Sequence, residues 1–236
     1  MYLNPFSVTG GHAGLDWVYE EESQTLRILS NQVTAISGGL GTDVNQEPFS
    51  GRIALADHIG AMELTLEDVV CRVEEGRAFD LGQGNDVTLF LLNGTSSLFE
   101  SGAGCAGVSL GDGACLRIDR DGSPGGRGPA DGSLTAAGGP GGAGIGRDSG
   151  AGRDRTARIH IRGGVITALG TGGGAGIGGG KRSPMGSIVI TGGVIDATGG
   201  LGGGAGIGGD LAAPVGDISL RGGPISAADA DQAAAN

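Results

Sequence analysis

Aliphatic residues recur along this chain in two interlocking phrases. In Arg158-Ile-His-Ile-Arg-Gly-Gly-Val-Ile-Thr-Ala168, isoleucine alternates with a variable residue, a Gly-Gly pair follows, and a second short alternation closes the phrase. The phrase returns at Ser187–Ala197 and at Asp217–Ala227. Around these copies stands Gly-Gly-Ala-Gly-Ile-Gly, at 141–146, 173–178 and 203–208. Alternation with period two is the signature of a half-buried strand, and the Gly-Gly pairs supply turns in which φ can be positive. Ala175-Gly-Ile177 reads as a third strand, with Ala and Ile on one side and bare glycine on the other. Ile145, Ile177 and Ile207 lie 32 and 30 positions apart, and Ile159, Ile188 and Ile218 lie 29 and 30 apart. Three short strands and three turns in each period of about thirty residues describe one rung of a parallel β-helix. The predicted fold is all-β: a right-handed parallel β-helix solenoid in which the recurring aliphatic residues pile into a continuous inner column.

The same period runs on toward the N-terminus under different residues. Phe79 and Val108, Leu81 and Leu110, Val87 and Leu116, and Leu89 and Ile118 are each 29 apart, so Cys105-Ala-Gly-Val108 is a degenerate Gly-Ala-Gly-Ile. This predicts a ladder of about six rungs over 50–228. Met62–Glu67 and Val69–Cys71 read as separate strands within it. Residues 1–49 read as a cap and entry rung, with Trp17–Leu29 forming a strand, acidic turn and strand, and Trp17 and Tyr19 packing over the open end. A solenoid needs such a cover, because an uncovered rung is a row of unpaired backbone groups. Residues 229–236 read as a tail or linker. Val108 and Ile145 are 37 apart, and the excess falls in the loop-like stretch Asp119–Asp131. A second polar loop, Arg147–Arg155, follows one rung later at another corner.

Composition sharpens this picture. Glycine supplies 54 of 236 residues. Helical repeats are excluded because no segment has 3.6 spacing and caps, and collagen because glycine does not fall at every third position. The net charge of −11 argues against nucleic acid and against anionic membrane surfaces. No run of eighteen apolar residues predicts a membrane span, and the first residues lack the basic and apolar regions of a secretory signal. Cys71, Cys105 and Cys115 give no disulfide framework and no CxxC zinc motif; they read as small buried hydrophobes, a Cys105–Cys115 bridge across a turn being the alternative. The glycine phrase lacks the Lys-Ser/Thr ending of a phosphate loop and the strand–helix context of a dinucleotide fold.

The succession Gly-x-Ile-x-Ile-x-Gly-Gly-x-Ile-x-Ala-x-Gly-Gly, then Gly-Gly-Ala-Gly-Ile-Gly-Gly, resembles the glycine-rich repeats of carbohydrate-binding parallel β-helix domains in bacterial surface proteins, within the pectate-lyase-like architecture. The resemblance covers about 100–227. It implies an extracellular or cell-surface location, a polysaccharide partner and, in some members, calcium. It fixes no catalytic residue.

Stacking also predicts which outward residues meet. Arg117, His160, Val189 and Ser219 should form one outer column, and Asp119, Arg162, Thr191 and Arg221 the next. Asp119 and Arg162 would then be neighbours on adjacent rungs, about 5 Å apart. Read as function, Arg117, Asp119, His160 and Arg162 form a ligand-binding patch for a sugar. Polysaccharide lyases pair an Arg or Lys base with carboxylates holding Ca²⁺. Read as structure, the patch holds solvated cross-strand ion pairs. Asp119 and Asp121, completed by Asp131, present the alternating oxygen ligands that a hard cation such as Ca²⁺ requires, without the distal glutamate of an EF-hand. Three functions follow as expectations: a non-catalytic glycan-binding or adhesive module, a polysaccharide lyase or glycosidase on the same scaffold, and a stalk that self-associates through bare glycine faces or rung ends.

Overall fold

In the computed structural model, residues 4–42, 48–120, 131–210 and 212–230 are described. Their strands wind into a parallel β-helix of about six turns, and of these residues only Ala230 is helical. Three faces are built from short strands, one strand per face in each turn, and each face can be named by its composition. The histidine face runs from Ala35–Gly38 through Ala61–Leu66, Asp86–Leu91, Cys115–Arg120 and Arg158–Ile161 to Ile188–Ile190 and Ile218–Leu220. The alanine face runs from Val70–Arg72 through Ser96–Glu100, Ser133–Ala137, Val165–Leu169 and Val194–Gly199 to Ile225–Asp229. The glycine face runs from Thr25–Ile28 through Arg52–Leu55, Phe79–Asp80 and Val108–Ser109 to the three Ile-Gly pairs at 145, 177 and 207.

The inner column expected from the repeats is present and longer than the repeats themselves. Leu26, Ile53, Phe79, Val108, Ile145, Ile177 and Ile207 stand in register on the glycine face. The first six are fully buried. At about 25 cal/mol per Å² of apolar surface removed from water, each such side chain contributes roughly 1.5–3 kcal/mol. On the histidine face Leu64, Leu89, Ile118, Ile161 and Ile190 form a second buried column. On the alanine face Phe99, Ala136, Ala168 and Ala197 form a third. The 29-residue spacings read from Phe79, Val87 and Leu89 all correspond to register pairs.

Two expectations are corrected. Met62–Glu67 and Val69–Cys71 are one continuous strand, Ala61–Arg72, whose first half belongs to the histidine face and whose second half belongs to the alanine face. Asp68, at φ +49°, turns the corner without breaking the strand. The glycine phrase does not present a bare outer surface. A Cβ placed on Gly176 would lie 2.6 Å from the Gly206 carbonyl oxygen, 2.8 Å from the Thr198 nitrogen and 2.9 Å from the Ala168 carbonyl oxygen. One on Gly174 would lie 2.0 Å from the Gly142 carbonyl oxygen. The neighbour that approaches these glycines is the chain's own backbone, because the alanine and glycine faces converge there. Small inner residues on one face and absent side chains on the other leave the two strands room to meet.

The N-terminal hairpin is as the pattern predicts. Trp17–Glu20 pairs antiparallel with Thr25–Ile28, and Trp17 and Tyr19 pack half-buried against the core. Phe6–Thr9 adds a second antiparallel strand, against Ala35–Gly38. The rings of Phe6 and Tyr19 meet edge-on at an interplanar angle of 61°, with 6.4 Å between centroids. The three cysteines are free thiols, Cys71 fully buried and the other two partly so.

Candidate functional site

The patch expected on the histidine face assembles. His160 stands in register between Arg117 and Val189, with Ser219 beyond. Arg162 Nε lies 3.1 Å from Asp119 Oδ2 across adjacent rungs. His160 Nε2 is 3.1 Å from Thr191 Oγ1, and Arg117 forms an ion pair with Asp86. Partial burial and the cations of Arg162 and Arg117 hold the His160 imidazole below its ordinary pKa, with Asp119 opposing them. The patch lies on the outside of a sheet, and its charges are largely matched by one another.

Of the expected metal ligands, Asp121 lies outside the described residues. Asp119 spends one oxygen on Arg162 and the other on the Arg120 amide. Asp131 begins the lead-in to the strand Ser133–Ala137. Among the described residues no three His, Cys, Asp or Glu side chains converge on a point that could hold a metal ion.

A cleft lies elsewhere, on the outside of the glycine face. Outward residues of that face stack as Arg27, Ala54, Asp80, Ser109 and then Gly146, Gly178 and Gly208. With rungs about 4.8 Å apart, Ala54 opens a gap of two rung steps between the Arg27 and Asp80 side chains. The result is a cleft of about 540 Å³ floored by Ala54, Leu55 and Ala56. An adjoining hollow of about 350 Å³ shares Arg27, Ala54, Arg77 and Asp80 with it and extends to Arg52 and Cys105. Two adjoining basins thus form one groove across the N-terminal rungs.

The groove is walled by a charge network that begins at Arg147 and Asp148. In the next rung Gly179-Gly180 occupies the positions that follow the Ile-Gly pair. In this rung they are Arg-Asp, and both side chains fold back over the preceding rungs. Asp148 Oδ1 accepts from the Ala106 amide at 2.7 Å and from Ser109 Oγ at 2.9 Å, and its Oδ2 accepts from Arg77 Nε at 2.6 Å. Arg77 Nη1 donates to Asp80 Oδ2 at 2.7 Å. These two carboxylates hold the Arg77 guanidinium above its ordinary pKa although burial acts against it. Arg147 is 1% exposed. Its Nη2 donates to Asp112 at 2.5 Å and to the Ala151 carbonyl at 2.8 Å, and its Nη1 donates to the Leu110 carbonyl at 3.3 Å. Its Nε, like that of Arg52 beside the second basin, is buried without a hydrogen-bond partner. Arg27 is held at the far wall by Glu20, with Nε to Oε1 at 2.7 Å.

The groove therefore presents arginine donors and aspartate acceptors, Arg27 and Asp80 on strands and Arg77, Arg147 and Asp148 held by their hydrogen bonds, over a floor that includes Ala54 and Ala56. Such an arrangement can bind a polar, hydroxyl-rich chain without reorganising. Pattern reading located Arg147–Arg155 as a polar loop but not as a wall. The available signal was the loss of glycine at 147 and 148, immediately after the most regular phrase in the sequence. Comparisons of the chain with family models, with curated proteins and with solved structures gave no match.

Proposed function

We propose that this protein is a non-catalytic glycan-binding module and that the groove on the glycine face, between Arg27 and the Arg77–Asp80–Asp148 cluster, receives the sugar chain. The observation that carries this reading is the gap at Ala54. It lies between cation and carboxylate walls held rigid by ion pairs, at a width set by whole rungs. Alternating donors and acceptors suit the vicinal hydroxyls of an oligosaccharide. The glycine-repeat resemblance points to the same ligand class and to an extracellular or cell-surface setting. The groove replaces the histidine-face patch as the preferred site because it is concave and its lining is pre-positioned.

A second reading rests on a specific observation: Asp57, Asp80, Asp112 and Asp148 all line this one cleft. Glycoside hydrolysis uses two carboxyl groups about 5–5.5 Å or roughly 6.5–9.5 Å apart. Each of these four, however, already accepts a hydrogen bond from an arginine or a backbone amide.

The test is titration of an oligosaccharide panel, with and without EDTA, against the protein, Ala54→Trp, and the doubly substituted His160→Ala/Arg162→Ala. Reducing-end release and unsaturated uronate formation are assayed alongside. Binding that is lost in Ala54→Trp, kept in the double variant and free of turnover supports the module. Turnover supports the hydrolase or lyase. Binding lost only in the double variant returns the site to the histidine face.

A further inference from the structure

The two ends of the solenoid are unlike. The first rung is covered by the antiparallel strands Phe6–Thr9 and Trp17–Glu20. At the other end, among the described residues, no strand pairs with the outer edge of Ile218–Leu220 or Ile207–Gly208. Ile218 and Leu220 are 44% and 49% exposed, whereas Ile188 and Ile190, one rung earlier in the same columns, are fully buried.

The edge of the last histidine-face strand is self-complementary. Its sequence is Asp217-Ile-Ser-Leu-Arg221. Laid antiparallel on a second copy about a two-fold axis through Ser219, it sets Asp217 opposite Arg221, Ile218 opposite Leu220, and Ser219 opposite Ser219. Opposed residues of an antiparallel pair point to the same side of the sheet. Ile218 and Leu220 would both point inward and extend the buried columns, and Asp217 and Arg221 would both point outward as ion pairs. The backbone agrees with this register. The Asp217 carbonyl accepts from Ile188, and the Arg221 amide donates to the Ile190 carbonyl, so both point back to the preceding rung. By the alternation along a strand, the N–H and C=O groups of Ile218 and Leu220 point away from it, to the open edge. They are the groups that a hydrogen-bonded antiparallel pair exchanges.

The geometry points to a tail-to-tail two-fold dimer, in which the Asp217–Arg221 strands of two copies of this chain pair antiparallel and close each other's last rung. An isologous contact of this kind ends in a dimer, not a filament, because the capped N-terminal ends remain outermost. It leaves the groove on the glycine face of each copy open, so the assembly would present two sugar sites at opposite ends.

Sedimentation velocity across a wide concentration range tests this on the full 236-residue chain. The native protein is expected to dimerise. Arg221→Asp, which sets carboxylates against Asp217, is expected to abolish the dimer at concentrations where the native chain is dimeric. Asp217→Arg combined with Arg221→Asp exchanges the two charges and is expected to restore it. Ser219→Cys, in a background with Cys105 and Cys115 changed to Ser, is expected to give a disulfide-linked dimer on mild oxidation. A native chain that stays monomeric throughout overturns the proposal. So does a dimer indifferent to Arg221→Asp, or one that the charge exchange does not restore. Since Ala54→Trp leaves this edge untouched, dimerisation and sugar binding fail or succeed separately.

Discussion

Arg77 and Asp148 are 71 positions apart in the chain and meet at 2.6 Å, reaching past the intervening strand Val108–Ser109 to join rungs two steps apart. Asp148 is the more committed partner. It is buried and also holds the Ala106 amide and Ser109 hydroxyl, whereas the Arg77 side chain is 47% exposed. Removing either therefore has unequal effects. Asp148→Ala strands a buried amide and a hydroxyl and should cost about 3 kcal/mol of stability. Arg77→Ala leaves Asp148 with two donors and should cost about 1 kcal/mol. Urea unfolding of both variants measures the difference, and equal losses would contradict the assignment.

Among the described residues, Arg147 carries the only guanidinium that is almost wholly enclosed. Arg147→Ala removes the partner of the Leu110 and Ala151 carbonyls and leaves a void, with an expected loss of about 3 kcal/mol. Arg147→Met keeps much of the volume and no charge, and Asp112, half-exposed, can turn to solvent. Its loss should be under half that of the alanine variant. Thermal unfolding of the pair would show whether volume or hydrogen bonding dominates at this wall.

The buried glycine phrase makes a sharp prediction about space. Gly176→Ala must push apart the Gly206, Thr198 and Ala168 backbones and should cost about 2–3 kcal/mol. Gly150→Ala meets nothing within 4 Å, and only its φ of +66° opposes a side chain, which costs about 1 kcal/mol. If the two variants melt at the same temperature, the convergence of the alanine and glycine faces is wrong.

His160 should titrate below the ordinary histidine value of about 6.5, chiefly through burial and then through Arg162 and Arg117. The folded state then binds the proton less readily than the unfolded chain. This contribution to stability is fully present above the unfolded value. It falls as pH drops through that value toward the lower folded one. NMR titration of the ring should show a depressed midpoint that rises in Arg162→Gln and falls further in Asp119→Asn. A midpoint unmoved by either change would remove the electrostatic cause.

Residue order alone is enough for the solenoid, its period of about thirty residues, the register of Ile145, Ile177 and Ile207, and the meeting of Asp119 with Arg162. These are legible because neighbours in a stacked fold are one period apart, so contact reduces to counting. That Gly174 and Gly176 face the chain's own backbone emerges only in three dimensions, since the convergence of two faces depends on the cross-section of the whole turn. The same is true of Arg147 and Asp148 as the wall of a groove over Ala54. Side chains that reach across rungs into space left by a small residue obey no period, and the N-terminal rungs that receive them share the helix geometry but not the repeat's residues.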